Sequence, residues 1–294
     1  LELDILPVNE FRFYQNLFNA KDCPDGSPLI LDVRSIKSDW EIDQLEATAE
    51  MTRSTFEYMR AAIAPGLTEM QFAGMYETYA RTLGHGGRLR VRNYNAEGYP
   101  WHVLSGDSGG LVGVLDSPAS GRGTSAAFPA GGGSRKLQPN EPVMVDLGSV
   151  MNGYHLDETR MFAIGSMPEK AYRASQAAIE IQAALIEQSK PGVTLAELFN
   201  AASAMAGRLG FGDVFLGPRG RQVRFIGHGI GLELVEPPII AHGREAPLEA
   251  GMVLAVEPKL VYENEFAAGV ESVFRVTPTG GRLISKVPAE IFIC

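Results

Sequence analysis

Apolar residues recur at helical spacing from Ile42 to Ile63, which predicts a long amphipathic helix. Ser38-Asp-Trp-Glu41 precedes this run and forms a capping box, in which the Ser and Glu side chains satisfy each other's unpaired amides. Pro65-Gly66 predicts the end of the helix. Thr68-Glu-Met-Gln71 is a second capping box and predicts a helix that ends near Gly84.

The same arrangement occurs twice along the chain. Pro65-Gly66-Leu67-Thr68 and Leu83-Gly84 reappear at one constant offset as Pro191-Gly192-Val193-Thr194 and Leu209-Gly210. Ser166-Met-Pro-Glu169 is a further capping box before the second copy and predicts another long helix. Pro-Gly-x-Thr is also common punctuation between helices, but several identities at one offset favour a duplication.

Apolar runs after each helix pair predict strands. Val143-Met-Val-Asp-Leu147 and residues 154–162 flank Asn152-Gly153, a strong signal for a two-residue hairpin. Similar runs follow in the second half, at residues 251–257 and 270–276. The segment 106–134 is rich in Gly, Ser and Ala, and it is either an ordered loop near a site or a mobile flap.

Composition places the chain among soluble globular proteins. Its 294 residues carry a net charge of −9, which argues against nucleic acid and anionic membrane as partners. No run reaches the length of a transmembrane helix, and no signal peptide is recognisable. The two cysteines, Cys23 and Cys294, form neither a disulfide framework nor a zinc motif, so we expect a cytoplasmic protein.

Carboxylates interrupt the apolar strands. Asp146 and Glu257 both lie in apolar runs, where an ionised group is costly unless a metal or a counter-charge compensates it. A two-residue hairpin would pair Asp146 with Thr159 and Gly148 with Asp157, so that the two aspartates share one face. One such aspartate would be read as a hydrogen-bonded core group. Two on one face, with similarly placed glutamates, favour a metal site.

A single histidine, His228, stands among glycines in Gly227-His-Gly-Ile-Gly231. The glycines allow the backbone to approach whatever the imidazole binds. An isolated histidine is more often structural, and this glycine spacing differs from the dinucleotide-binding GxGxxG pattern.

In order, these motifs resemble those of the M24 metallopeptidase superfamily, and most closely those of Xaa-Pro dipeptidase (prolidase) and aminopeptidase P. The matching segments are Val145-Asp-Leu-Gly148, Gly153-Tyr-His-Leu-Asp-Glu-Thr-Arg160, Gly227–Glu233, Gly251–Pro258 and Gly269-Val-Glu271. The resemblance implies an α+β pita-bread (creatinase/aminopeptidase) fold, with two pseudo-symmetric αα-β halves around a curved antiparallel sheet. It assigns five metal ligands: Asp146, Asp157, His228, Glu257 and Glu271.

The resemblance also implies the chemistry. Two divalent ions (Mn, Co, Zn or Fe) bridged by carboxylates would generate a hydroxide that attacks a peptide carbonyl, with Glu257 moving the proton. The implied substrate is a small peptide with an Xaa-Pro bond, either a dipeptide or a peptide N-terminus. A homodimer is expected on the same ground.

The resemblance further divides the chain into two parts. Residues 1–33 are expected to be the tail or linker of an N-terminal creatinase-like domain, and residues 34–294 the catalytic pita-bread domain. Within the first part, Leu29-Ile-Leu-Asp-Val33 predicts a short strand.

Two histidines usual in the family are missing. Val235 stands where a substrate-binding histidine follows the metal-binding one, and Pro129 stands where another precedes the first aspartate. Loss of such a group typically lowers the rate by about a hundred- to a thousand-fold. His102, in Tyr99-Pro-Trp-His-Val103, is the candidate replacement as a catalytic residue, with an ordinary strand or loop histidine as the alternative.

The remaining polar candidates are read as structural or solvent-exposed. His155 shares a strand face with Asp157, and Arg160 is expected to order the site through a carboxylate pair. For the surface-loop candidates Arg219, Arg221 and Arg224, binding of a substrate carboxylate is the less favoured interpretation. His242 is placed in a surface loop after Pro237-Pro238, and a functional role is the less favoured interpretation there too.

Three functions compete on this evidence. A metal-dependent Xaa-Pro peptidase ranks first, and the tail-like residues 1–33 favour it over an enzyme that removes methionine. A metal enzyme with a non-peptide substrate, such as a lyase or small-amide hydrolase, is favoured by the two missing histidines. A metal-binding relative without catalysis ranks third, because such relatives tend to lose metal ligands and all five are retained here.

Overall fold

The computed structural model of the protein describes residues 1–92, 102–113 and 117–294. Among these residues every helix is too short or too polar to span a lipid bilayer. The α-helices of the described chain are α1 Val8–Leu17, α2 Ser27–Ser35, α3 Asp39–Ala62, α4 Glu69–Thr82, α5 Glu169–Gln188 and α6 Leu195–Arg208. A short 3₁₀ turn covers Gly106–Gly110.

The strands form two main sheets and one small ribbon. Their bounds are β1 His102–Ser105, β2 Val143–Met151, β3 Tyr154–Ala163, β4 Phe225–Gly229, β5 Glu236–Ala241, β6 Val253–Val256, β7 Lys259–Tyr262, β8 Phe266–Gly269, β9 Ser272–Thr277, β10 Gly280–Leu283 and β11 Ile291–Ile293. The first sheet has the order β1-β2-β3-β11, the second β10-β9-β6-β4-β5, and the ribbon is β7-β8. Among the described strands, all pairings are antiparallel except that of β11 with β3, so the predicted α+β class is confirmed.

In the first half, α3 and α4 cover the sheet that contains the hairpin. Both predicted capping boxes are present, at Ser38 and at Thr68, and they fix where these helices begin. Phe56 of α3 and Phe72 of α4 pack against Phe162 of β3 in a buried aromatic cluster. This packing holds the β2-β3 hairpin rigidly against the helices.

In the second half, α5 and α6 cover the second sheet in the same way. Thr194, the counterpart of Thr68 in the repeated motif, forms a capping box with Glu197. Apolar side chains from α5, α6 and the strands share one core, among them Ile181, Leu198 and Leu254. The chain therefore contains the two αα-β halves that its repeated punctuation predicts.

The two halves meet where β3 approaches β9. Thr159 and Glu271 exchange backbone hydrogen bonds across this seam, at 3.4 and 3.1 Å. Arg160 lies buried beside them and donates to the carbonyl oxygens of Glu271 (2.6 Å) and Pro288 (2.6 Å). Carboxylates on both sides of the seam are thereby brought close together.

Two local predictions are wrong. Residues 29–33 are part of the helix α2 rather than a strand, because Pro28 in its first turn favours a helical start. The sequence Ser166-Met-Pro-Glu169 does not form a capping box: α5 begins after Pro168, which caps without a side-chain hydrogen bond. The Ser166 hydroxyl instead donates to Asn140 Oδ1 (2.8 Å).

Candidate metal centre

The β2-β3 hairpin places two aspartates on one face, as its sequence predicts. Asn152 and Gly153 both have positive φ, of 53° and 84°, as a type I′ turn requires. Asp146 pairs with Thr159 and Gly148 pairs with Asp157, which is the predicted register. Because side chains alternate along a strand, both carboxylates face the second half of the molecule.

The second half contributes the remaining three candidate ligands from neighbouring strands. His228 lies on β4, which pairs with β6, and Glu257 directly follows β6. Glu271 precedes β9 and is tied to Thr159 both through the backbone and by the Thr159 hydroxyl, which donates to Glu271 Oε2 (3.0 Å). All five predicted ligands are buried and line a single cavity.

Three of these side chains are arranged to hold one ion. Asp157, His228 and Glu271 each offer a ligand atom, and these atoms lie within 4.8 Å of one another. The ring nitrogen Nδ1 of His228 is 2.9 Å from the Gly229 carbonyl oxygen, so Nδ1–H donates and Nε2 is free to bind a metal. Nε2 lies 3.8 Å from Glu257 Oε1 and 3.6 Å from Glu271 Oε1.

An unpaired oxygen supports the same assignment. Glu271 Oε1 is buried without a hydrogen-bond partner among the residues that the structure describes. A buried carboxylate oxygen without a partner costs about 1–3 kcal/mol or more, and a divalent ion would supply the missing partner. The residues present therefore fit a metal ion coordinated by oxygen atoms and one imidazole.

The carboxylates repel one another in the absence of an ion. Burial, together with the charges of Glu271 and Asp146, raises the pKa of Asp157 well above its ordinary value. Burial opposes a charged imidazole, but the nearby carboxylates of Glu271 and Glu257 outweigh burial and raise the pKa of His228 to about 9. Both pKa values are raised because the crowded carboxylates favour added positive charge, as is typical of a site built for a cation.

One member of the centre was missed by the sequence analysis. The ammonium of Lys259, at the start of β7, lies 2.8 Å from Asp146 Oδ2 and 2.7 Å from Glu257 Oε2. It lies 3.8 Å from Glu271 Oε2. The available signal was a lysine within an apolar run, two residues after a predicted ligand.

Lys259 and His102 determine the charge of Asp146. Burial disfavours the ionised carboxyl, but Lys259 and His102 outweigh burial and hold the pKa of Asp146 well below its ordinary value. His102 pairs with Asp146 across β1 and β2, and its Nδ1 lies 3.6 Å from Asp146 Oδ2. The residues before it in its motif, Tyr99 to Trp101, lie outside the described residues.

The cavity above these groups has a volume of about 350 Å³, within the usual range for small-molecule sites. Apolar side chains form part of its wall: Phe225, Leu234, Val235 and Ile239. His102 also lines it, and its Nε2 is buried without a partner in the described part of the chain. Pro129 is exposed and is not among the lining residues.

The loop between β1 and β2 approaches this cavity through Ser117. Its described residues are hydrogen-bonded to one another, for example Gly131 N–H to Ser120 O (2.7 Å) and Gly123 N–H to Gly131 O (3.0 Å). The segment 106–134 was predicted to be either an ordered loop near a site or a mobile flap. The hydrogen bonds of its described part agree with the ordered loop.

The other candidate residues lie outside the cavity. His155 is buried, and both ring nitrogens are hydrogen-bonded, which makes it a structural residue. Arg160 pairs with Glu158 in the buried seam. The four surface-loop candidates are exposed, and three of them have polar partners: Arg224 contacts His242, and Arg221 contacts Glu263.

Comparison with known proteins gives concordant matches. The profile of metallopeptidase family M24 matches residues 43–278. The Xaa-Pro dipeptidase of Pyrococcus furiosus is 26% identical over 285 residues, which make up 97% of this chain and 72% of that protein.

Solved structures superpose on most of the chain. The Xaa-Pro dipeptidase from Bacillus anthracis is 26% identical, with a TM-score of 0.80, and the match covers 100% of this chain and 73% of that one. The X-Pro aminopeptidase from Thermotoga maritima has a TM-score of 0.82 at 22% identity, covering 98% and 72%. At that identity the second match speaks for the fold alone.

Proposed function

This chain belongs to metallopeptidase family M24 and has its pita-bread fold, and from that premise we propose that it is a metal-dependent peptidase cleaving Xaa-Pro bonds. The proposed substrates are dipeptides and the N-termini of longer peptides. The relatives named above support this substrate class. Mn, Co, Zn and Fe all suit a centre of carboxylates and one histidine.

The observation that carries the proposal is the convergence of five candidate ligand side chains on one cavity. They come from both halves of the molecule, and all are buried and line the cavity. A divalent ion bound there would polarise a substrate carbonyl and lower the pKa of water. Glu257 lies at the edge of this cluster, held by Lys259 (2.7 Å), and is the proposed carrier of the proton.

The cavity wall offers complementary contacts to a small peptide. The apolar group of Phe225, Leu234, Val235 and Ile239 would contact the proline ring and exclude water from the scissile bond. His102 is the proposed polar contact to the substrate, because its Nε2 is buried and unpaired among the described residues. It would take over the role of the histidines missing at 235 and 129.

The first prediction tests hydrolysis directly. Protein reconstituted separately with Mn, Co and Zn should cleave some members of a panel of Xaa-Pro dipeptides and longer Xaa-Pro peptides. Asp157→Ala removes a central ligand and should lower turnover by about a thousand-fold or more. Asp213→Ala changes an exposed aspartate and serves as the matched control. Liberated amino acid is measured by chromatography.

Absence of turnover with every metal, in protein shown to contain metal, would overturn the peptidase assignment. A second candidate function would then apply, a metal enzyme acting on a non-peptide substrate. Val235 favours it, because this half-exposed apolar side chain lines the cavity where the family carries a histidine. Screening of small amides and lyase substrates would follow.

Three further expectations remain proposals. We propose that the protein is a homodimer, which light scattering after gel filtration would test. We propose a cytoplasmic location, with which the free thiols of Cys23 and Cys294 are compatible. We also propose that residues 1–33 serve as the tail or linker of a separate domain, preceding the catalytic domain of residues 34–294.

A further inference from the structure

We infer that the centre binds a single divalent ion and that the Lys259 ammonium takes the place of a second ion beside Asp146. The ion would be held by the four other ligands: Asp157, His228, Glu257 and Glu271. The sequence motifs predict two ions. The inference rests on the proposed function only in that the site binds a metal, and it is independent of the substrate.

The position of Lys259 is the first argument. Its Nζ donates to Asp146 Oδ2 (2.8 Å) and to Glu257 Oε2 (2.7 Å), and it lies 3.8 Å from Glu271 Oε2. An ion shared by Asp146 and Glu271 would bind Asp146 Oδ2 and Glu271 Oε2 at about 2.0–2.2 Å, the bond lengths of zinc–carboxylate sites. These are the oxygens that Lys259 Nζ approaches, so the ion would lie directly beside the ammonium.

The backbone holds the lysine in this position. Lys259 is buried, pairs with Gly269 across β7 and β8, and accepts a hydrogen bond from Leu216 N–H (2.8 Å). Its side chain passes over Gly269, where an added Cβ would lie only 2.7 Å from Lys259 Cγ. The missing side chain at Gly269 thus provides the space through which the ammonium reaches the carboxylates.

Charge gives the second argument. Four carboxylates line the centre, and Lys259 neutralises one of them. One divalent ion then leaves a single net negative charge, whereas two ions with the ammonium would leave a net positive charge that only a bound hydroxide would cancel. Repulsion between an ammonium and an adjacent divalent ion is strong where water is excluded.

The carboxylates differ in a way that matches a single site. Glu271 Oε1 is buried without a partner among the described residues, and it belongs to the preformed group with Asp157 and His228. Asp146 Oδ2 already has a partner in Lys259. The unsatisfied oxygen is therefore on the side of His228, and the satisfied one is on the side of Lys259.

The test is metal stoichiometry. Full-length protein is stripped of metal, reloaded with excess Mn²⁺ and desalted, and its content is measured by mass spectrometry of the metal. We expect about one ion per chain and the electron paramagnetic resonance spectrum of an isolated Mn²⁺. Lys259→Met keeps the stem and removes the charge, and it should bind about two ions with an exchange-coupled spectrum.

Lys37→Met is the matched control, because Lys37 is a buried lysine paired with Glu236 outside the cavity. It should keep the wild-type stoichiometry. If Lys259→Met does not fold, Asp146→Asn serves instead: it leaves Glu257 as a partner for Lys259, and it should retain about one ion per chain. A loss of bound metal in Asp146→Asn would contradict the inference.

Two ions in the wild-type protein, or a single ion in folded Lys259→Met, would overturn the inference and leave the proposed peptidase intact. One bound ion without turnover of any Xaa-Pro peptide would support the single-ion inference and overturn the proposed peptidase. Protein that binds no Mn²⁺, Co²⁺ or Zn²⁺ would refute both.

Discussion

His155 shows how a side chain next to the centre is held in one protonation state. Its Nε2 accepts a hydrogen bond from Arg90 N–H (3.0 Å), so Nδ1 carries the proton and donates to the Gly231 carbonyl oxygen (3.0 Å). Burial disfavours the imidazolium and lowers the pKa of His155 to about 4. The folded protein therefore requires the neutral ring.

This predicts a contribution to the pH dependence of stability. The unfolded histidine has a pKa of about 6.5. The folded value is lower, so the contribution is fully present above about pH 6.5 and is lost as the pH falls toward 4, by about 3 kcal/mol. Urea unfolding at pH 7 and pH 4.5 measures how much free energy of unfolding is lost on acidification. His155→Gln should lose less than the wild-type protein. His242→Gln, at an exposed histidine, should retain the wild-type loss of free energy of unfolding, and equal losses in all three proteins would contradict the assignment.

At the residue scale the sequence predicted the five candidate ligands that line the cavity, but it did not predict Lys259 beside them. Asp146 and Glu257 stood out because carboxylates are costly in apolar strands, and the hairpin register placed Asp157 beside Asp146. The position of the lysine ammonium depends on how β7 crosses the seam and on the space above Gly269. No local pattern contains that information.

At the element scale, two similar capping-box sequences can be compared, because one forms a helix cap in the structure and the other does not. Thr68 Oγ1 accepts a hydrogen bond from Gln71 N–H (3.0 Å), and Gln71 Oε1 accepts one from Thr68 N–H (2.9 Å). Thr68→Ala should therefore lower the free energy of unfolding by about 1 kcal/mol. Ser166→Ala removes a similar motif that makes no cap, and it should change this free energy by less than about 0.5 kcal/mol. Urea denaturation measures both, and equal effects would contradict the structural difference.

Helix boundaries were predictable where a cap and an apolar period agreed, as in α3 and α4. The run Leu29–Val33 carried no such period, and short apolar runs do not distinguish a strand from a helix. Its side chains lie mostly on the surface of α2, so burial does not determine its conformation. Pro28 at the start of the helix decides it instead.

At the scale of the whole molecule, the centre joins the two halves. Asp146 and Asp157 belong to the first half, whereas His228, Glu257 and Glu271 belong to the second. The duplication and the fold were predictable from repeated motifs. The relative placement of the halves was not, because it depends on contacts such as those of Arg160 with Glu271 and Pro288.

A bound ion should therefore stabilise the folded chain. At a free metal concentration a hundred-fold above the dissociation constant, binding adds about 2.7 kcal/mol to the free energy of unfolding. Thermal unfolding of the Mn-loaded protein should occur at a higher temperature than after treatment with a chelator. Asp157→Asn should abolish the difference, and a metal-independent unfolding temperature in wild type would show that the ion does not bridge the halves.

Lys259 also has a consequence for the order of events during folding. The hairpin that carries Asp146 and Asp157 is local and can form early, whereas the seam partners Thr159 and Glu271 are 112 residues apart. When the second half docks, the acidic side chains of both halves come close together, and they repel one another if no ion is bound. Lys259 lies two residues after Glu257, so its ammonium reaches the cluster together with that carboxylate and reduces the repulsion. The nascent protein can thus close its centre first and acquire metal afterwards.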